Sequence, residues 1–500
     1  MTSFWIESSP ATRFPVLEGD VRVDVAIVGG GLTGITAASL LKAAGKTVAL
    51  VEMKRLARGA TGYTTAKITS GHGLVYGHLT RKFGEDGARV YAEANEAALE
   101  RIRALVEERG IDCDLETQPN YAYARSSESL PAVEEEAEAA RRAGLAASLV
   151  RDLPLPYPVA GAVRLENQAQ FHPRKYLLPL AEQLAGDGSY VFEETRALDV
   201  RLRPPVVETS RGSVHARDVV LATHLPFEDK GLFFAKTHPS RSYAVAGPVE
   251  EPPEGMFISV DQPTRSVRTA PHEGGRILIA GGEGHKTGQD GDTGARYRSL
   301  EDWAQEHFGV ESVGFRWSTH DYVSVDRVPF VGPLVPGGDR VWVATGYGKW
   351  GMTNGTAAAI VLADGILGRA NPWAAFFSSL RLRSLATRSL LTENADAARR
   401  LLGDRVALPG VDAAAALGAG EGAVIRVDGR KVAVSRGAGG ELVAVSPTCT
   451  HMGCLVSWNL AERTWDCPCH GSRYLPDGTV IQGPAVRDLA PRELPAPGTP

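Results

Sequence analysis

Hydrophobic positions run almost unbroken from Val23 to Val28, give way to glycines, and return at helical spacing from about Thr33 to Ala44, with a second short apolar run from Thr47 to Val51. Strand, turn, helix and strand in that order predict a βαβ unit, the start of a doubly wound α/β sheet. Helical, charge-rich periodicity follows from about Glu85 to Arg109 and from Pro131 to Ala143. Short strands are predicted between Val191 and Val220. Alternating segments at Ser240–Gly247, Arg265–Ala270 and Arg276–Gly281, with proline and glycine between them, predict a separate antiparallel sheet. Val341–Thr345, a glycine turn and a helix from about Thr353 to Leu367 restore the opening pattern, so the first domain is expected to be discontinuous. An Arg-rich helical stretch from Trp373 to Arg405 comes next, and beyond Pro409 small residues and short alternating strands predict an all-β unit.

Composition narrows the class. With 43% hydrophobic and 23% charged residues, the 500-residue chain is expected to be folded and globular. Lysine plus arginine number 54 against 59 acidic residues, a net charge of -5, which excludes nucleic acid as the main partner. The most apolar stretch, Val25–Leu41, is shorter than the ~20 residues of a membrane span, and the first residues carry no leader pattern. A cytoplasmic protein is therefore expected.

Gly29-Gly30-Gly31-Leu32-Thr33-Gly34 is G-x-G-x-x-G directly after a strand and at the mouth of a helix. Its backbone amides can meet a pyrophosphate there without side-chain obstruction, with Gly29, Gly31 and Gly34 as the key positions. Glu52 closes the second strand, where a carboxylate accepts from ribose hydroxyls and repels a 2'-phosphate, favouring FAD or NAD over NADP. Gly346-Tyr-Gly-Lys-Trp-Gly351 matches the same pattern, but no second strand follows, so its amides are expected to serve the same dinucleotide.

Four of the five cysteines crowd into the tail. Cys449-Thr-His451, fifteen intervening residues, then Cys467-Pro-Cys-His470 supplies two thiolates and two imidazoles on paired loops, the ligand set of a Rieske 2Fe-2S centre. A Cys2His2 zinc site is the alternative, disfavoured because zinc fingers do not pair C-x-H with C-x-x-H across such a gap.

From about residue 20 to 370 the chain resembles flavoenzymes of the D-amino-acid oxidase (DAO) family. The likeness rests on Arg58-Gly-Ala-Thr-Gly-Tyr-Thr-Thr-Ala-Lys67, on Arg217-Asp-Val-Val-Leu-Ala-Thr-His224 with His224 where the family carries glycine, on Asp326-Arg-Val-Pro-Phe-Val-Gly332, and on Ala344-Thr-Gly-Tyr-Gly-Lys-Trp-Gly-Met-Thr353. The resemblance implies FAD, bound covalently or not. FAD contacts are expected at Gly59, Thr61, Thr65, Gly346, Gly348, Gly351, Met352 and Thr353. It implies FAD-binding segments at about 20–80, 160–230 and 320–370 and a mixed α+β substrate domain at about 81–159 and 231–319. A helical linker over 371–409 would lead to the Rieske domain at 410–500. Lys349 and Trp350 would face the isoalloxazine as catalytic or substrate-anchoring groups. His72 is a candidate flavin contact or attachment point, against the plainer reading of a hydrogen-bonded loop histidine, and Arg241 with Tyr243 a candidate carboxylate pair, against the plainer reading of ordinary surface residues. The arginines 381, 383 and 388 beside Phe376 and Phe377 are expected to pack between domains in preference to docking on a membrane.

The tail resembles the Rieske proteins of cytochrome bc complexes from about 420 to 490. That resemblance implies a disulfide between Cys454 and Cys469 and hydrogen bonds from Ser472 and Tyr474 to cluster sulfur. It also implies solvent-facing edges of His451 and His470 as the electron exit. Together the two resemblances imply an FAD-dependent dehydrogenase that oxidises a small amine or amino-acid-like substrate and passes electrons through the cluster to an external acceptor. The alternative is a flavin/Rieske electron-transfer module feeding a partner oxygenase or quinone. A one-chain Rieske oxygenase is disfavoured, because no histidine follows His470.

Overall fold

The computed structural model describes residues 2–289, 292–338, 340–381, 390, 392, 394–395, 409–410 and 412–494. Val25–Val28 and Val48–Val51 are buried along their whole length, as strands covered on both faces of a parallel sheet must be. They pair in parallel, and Ser213–Leu221 pairs on the other side of Val21–Val28. Val341–Thr345 then adds in parallel to Ser213–Leu221, closing the sheet with late residues. Eight strands make this sheet, and the helices Leu32–Ala43 and Gly351–Leu367 pack against each other beside it. The discontinuous Rossmann-like domain is as the pattern predicts.

A second, nine-stranded sheet runs from Phe315–Ser324 through Thr237–Pro248, Gly275–Lys286, Arg265–His272, Met256–Ser259, Glu116–Ala124 and Gly161–Gln170 to Lys67–Ile68. It is largely antiparallel, but Met256–Ser259 runs parallel to Glu116–Ala124. Lys67–Ile68 and Gly161–Gln170, expected in the FAD-binding segments, belong to this sheet. Gly161–Gln170 forms its ladder with Glu116–Ala124, and Lys67–Ile68 pairs with the end of Gly161–Gln170. The helix expected from Glu85 runs from Tyr76 to Arg109, with its break at Gly84, whose φ of 78° is non-helical.

After the flavin-type body, Ala374–Phe377 forms one helical turn, and Phe376 and Phe377 pack on Phe83 and Tyr91 of the body. Arg381 pairs with buried Asp326 at 2.7 Å and lies 3.8 Å above the Phe330 ring, so it packs on the body, where packing between domains was the expectation. Most of the expected linker helix, with Arg383 and Arg388, lies outside the described residues. The tail forms a three-stranded sheet, Gly422–Val427, Arg430–Arg436 and Leu442–Val445, and a four-stranded one, Ser457–Asn459, Thr464–Asp466, Arg473–Tyr474 and Val480–Gln482. Cys449, Cys454, Cys467 and Cys469 share a core with Trp465, Tyr474, Val480 and Leu489. Among the described residues, no helix is long and apolar enough to cross a membrane.

Candidate active site and cluster centre

A cavity of about 1650 Å³ begins at the glycine turn, runs past Glu52 and the Arg58–Thr65 segment, and ends beneath the second sheet. At Gly29 the turn passes so close to the neighbouring strand that a Cβ would stand 2.4 Å from the Ala222 carbonyl oxygen, which is why glycine is required. Gly31 caps the helix and lines the cavity, whereas Gly34 lies against the Gly29 backbone behind it. The Glu52 carboxylate accepts from the Gly30 and Lys54 amides, both at 2.9 Å. Burial raises its pKa against these two bonds. An acid at the strand end, amides at a helix N-terminus and a long continuous cavity fit a dinucleotide.

Gly59, Thr61, Thr65, Gly348, Gly351 and Met352 line this cavity with Lys349 and Trp350. Gly346 and Thr353 do not; Thr353 donates to the Thr69 carbonyl at 2.9 Å behind the wall. His72 is likewise absent from the wall. Its ring stacks on Trp350 at 4.8 Å and is fixed by the Tyr91 hydroxyl and the Thr69 carbonyl, both at 2.7 Å. Burial pushes the imidazole down to about 3, so a neutral ring buttresses Trp350.

Lys349 sits in the left-handed region at φ 74°. Its amide donates to Asp321 at 2.5 Å and its ammonium to the Ser242 hydroxyl at 2.8 Å. The side chain is accessible from the cavity yet enclosed by protein, and burial lowers it to about 8 in spite of Asp321. A second lysine was not expected. Lys67 donates to the Phe257 carbonyl at 2.6 Å and the Ser266 hydroxyl at 2.5 Å on the same cavity wall, and burial with the nearby Arg268 lowers it to about 7. The only signal in the sequence is a lone cation ending an otherwise uncharged run, Gly59–Ala66.

Arg241 is not available to a substrate. It is fully buried and bonded to Ser318 at 2.6 Å, to Asp466 at 2.8 Å and to Glu462 at 3.1 Å, the last two in the tail domain. Tyr243 meets His285 at 2.9 Å. Arg241 of the expected carboxylate pair is therefore a tie between domains, while Tyr243 stays on the cavity wall. Glu462, Arg463, Thr464, Arg473 and the Ile481–Val486 loop of the tail also line the dinucleotide cavity.

In the tail itself, Cys454 and Cys469 are joined, with Cα atoms 6.5 Å apart, while Cys449 and Cys467 are free and buried. The His451 and His470 rings lie 5.0 Å apart at right angles, and both Nδ1 atoms are buried without a hydrogen-bond partner. Two thiols and two orphaned imidazole nitrogens on loops tied by a disulfide fit a His2Cys2 di-iron cluster. Cys454, Cys467 and Cys469 also lie within 4.8 Å of one another, but two of these sulfurs are in the disulfide, so the group itself offers a metal one thiol. The Tyr474 hydroxyl is 3.2 Å from Cys449 Sγ, and the Ser472 hydroxyl accepts from the Ala485 amide at 3.0 Å.

The imidazole edges do not face solvent. His451 Nε2 meets Asp229 at 2.9 Å, and the Phe234 ring lies 5.3 Å from His470. The body's segment from Leu225 to Lys236 folds over the two ligand loops, overturning the expected exit.

Fold and site together define a flavin-dependent oxidoreductase joined to a Rieske iron-sulfur domain. The sequence profile of the FAD dependent oxidoreductase (DAO) family matches residues 24–365, and that of the Rieske [2Fe-2S] domain matches residues 409–493. The chain belongs to the FAD dependent oxidoreductase family and carries a C-terminal Rieske domain, with FAD and a 2Fe-2S cluster as its cofactors. It is 39% identical over 497 residues to YhfW of Bacillus subtilis, named as a Rieske 2Fe-2S iron-sulfur protein, covering 98% of this chain and 97% of that one. It is 27% identical to the gamma-glutamylputrescine oxidoreductase of Escherichia coli over 43% of this chain and 52% of that one. The glycine oxidase structure from Geobacillus kaustophilus superposes with a TM-score of 0.61 at 20% identity, covering 72% of this chain and 99% of that chain.

Proposed function

We propose that this enzyme oxidises the C–N bond of a small, carboxylate-bearing amine and passes the electrons through its own Rieske domain to an external one-electron acceptor. One observation carries the reading: the tail domain forms part of the wall of the dinucleotide cavity. The amine loses two electrons and two protons to become an imine, which water hydrolyses. FAD supplies two-electron acceptance and the cluster one-electron transfer. Gly29, Gly31 and Glu52 would hold the dinucleotide, and the Arg58–Thr65 and Gly348–Met352 segments would receive its ring end. Cys449 and Cys467 would hold one iron, and His451 and His470 the other, their buried Nδ1 atoms having no hydrogen-bond partner. Ser472 and Tyr474 hydrogen-bond toward Cys449, which stabilises added charge on the cluster. Lys349 and Lys67 orient an anionic substrate group, while Trp350, backed by His72, helps to wall off water. The likeness to the gamma-glutamylputrescine oxidoreductase of Escherichia coli supports the substrate class, and a cytoplasmic site is part of the same reading.

Anaerobic titration with amines and amino acids, following flavin absorbance and the rhombic electron-spin signal together, tests the proposal. Bleaching of the flavin followed by appearance of the cluster signal is expected; bleaching that never reaches the cluster would sink it. For an anionic substrate, Lys349→Met should raise KM about tenfold, equivalent to one lost charge-assisted hydrogen bond of ~1.4 kcal/mol. The pH dependence has a definite sign. A lysine lowered to about 8 carries its charge below that value and loses it above, so kcat/KM should fall as pH rises through about 8. The variant should lose the limb near 8 in steady-state profiles and keep the one near 7 that Lys67 contributes.

A further inference from the structure

We propose that Tyr322 is the bridge through which electrons pass between the flavin end of the cavity and the cluster; the inference rests on the reading that the flavin feeds the cluster. Tyr322 lies on Phe315–Ser324, the edge strand of the second sheet, where successive side chains point to opposite sides. Ser318, His320 and Tyr322 turn toward the Rieske domain. Ser318 meets Glu462, and the buried His320 ring lies 3.0 Å from where a Cβ on Gly471 would stand. The Tyr322 hydroxyl donates to the carbonyl of His470 at 2.7 Å, with a longer contact to the Gly483 carbonyl at 3.4 Å. Asp321, on the opposite side, lines the cavity and accepts from the Lys349 amide at 2.5 Å.

Tyr322 is fastened at both ends. Its carbonyl accepts from the Gly348 amide, in the loop lining the dinucleotide cavity, at 3.0 Å, while its hydroxyl reaches a cluster-ligand residue. The side chain is 1% exposed and packed edge-on between His224 at 4.7 Å and His320 at 5.3 Å, so water does not interrupt the path. One residue thus replaces a gap between sites with covalent bonds and two hydrogen bonds, and electronic coupling decays less steeply through bonds than through space. The step balances without moving atoms: the reduced flavin loses one electron and the diferric cluster gains it. The second electron follows once an external one-electron acceptor has emptied the cluster.

The test uses the full-length holoenzyme with its flavin photoreduced by light and EDTA as sacrificial donor, so that substrate identity does not enter. Flavin and cluster absorbance are followed after the flash. Tyr322→Phe should slow cluster reduction about tenfold, and Tyr322→Leu further. Iron content, the electron-spin g values and the cluster midpoint potential should stay at wild-type values. Thr293→Ala removes interdomain hydrogen bonds to Asn459 and Ala461 remote from the bridge and should leave the rate unchanged. Wild-type speed in Tyr322→Phe, equal slowing in Thr293→Ala, or slowing accounted for by a shifted potential would each overturn the inference. Should Tyr322→Leu lose its cluster, Tyr322→Phe decides alone. Absence of transfer in the wild-type protein would instead overturn the proposed function itself.

Discussion

Replacing Arg241 by leucine should destabilise the docked Rieske domain by about 3 kcal/mol, because breaking a buried ion pair leaves charge without compensation. The guanidinium is wholly inside the protein and spans the domains, with Asp466 at 2.8 Å and Glu462 at 3.1 Å. Arg473, from the tail itself, meets the same two carboxylates, so the loss falls at the low end of the usual range for a buried pair. A lysine keeps the charge but has a single nitrogen where the guanidinium uses two to reach Glu462 and Asp466, so Arg241→Lys should lie between the wild type and Arg241→Leu. Thermal unfolding of the Rieske domain and limited proteolysis at the domain junction read the effect. A variant as resistant as wild type would show that the tie does not hold the domains together.

The same network has a pH signature. Burial alone would raise the Glu462 carboxyl, but Arg473 and Arg241 outweigh burial and hold it below the usual glutamate range. A depressed carboxyl contributes stability that is present above about pH 4.5 and lost as pH falls through its lowered folded value. Proteolytic release of the domain should therefore accelerate on acidification below about pH 4.5. Glu462→Gln should flatten that dependence.

The parts of the site legible in the sequence are those whose chemistry is local. The glycine turn and Glu52 stand 23 positions apart on one βαβ unit, and the candidate ligands Cys449, His451, Cys467 and His470 on two neighbouring loops. What was not legible depends on residues remote in sequence. Arg241 on an alternating strand reads as a surface cation until its partners, more than 220 positions away, arrive across the domain boundary. Solvent-facing imidazoles follow from a resemblance to proteins without this body, and here Asp229 and Phe234 cover them. His72 takes the plainer of its two readings, a hydrogen-bonded ring behind Trp350, because a histidine in a glycine-rich segment gives no sign of whether it touches the ligand or the residue that touches it. Lys67 is only the last residue of the Arg58–Lys67 motif until Phe257 and Ser266, some 190 positions later, enclose it.

Cys467→Ala should abolish the cluster and also loosen FAD, although residue 467 lies outside the dinucleotide fold. The first effect follows from the ligand set: one thiolate and two imidazoles cannot hold two irons, so iron, acid-labile sulfide and the rhombic signal should all disappear. The second follows from the shared cavity. Metal binding is part of the folding free energy of a small metal-holding domain, and Cys467 belongs to its compact core with Trp465, Tyr474 and Val480. When that core loosens, the Ile481–Val486 loop and Arg473 no longer close the cavity wall, and a ligand held by both domains loses part of its contact. FAD release, followed by fluorescence on dilution, should quicken by at least tenfold, or ~1.4 kcal/mol of lost binding. Chelation of iron from the wild-type protein should reproduce the change without mutation. Undiminished FAD retention in both would mean that the tail covers the flavin site without helping to bind it, and the two cofactors would then be joined only through the path for electrons.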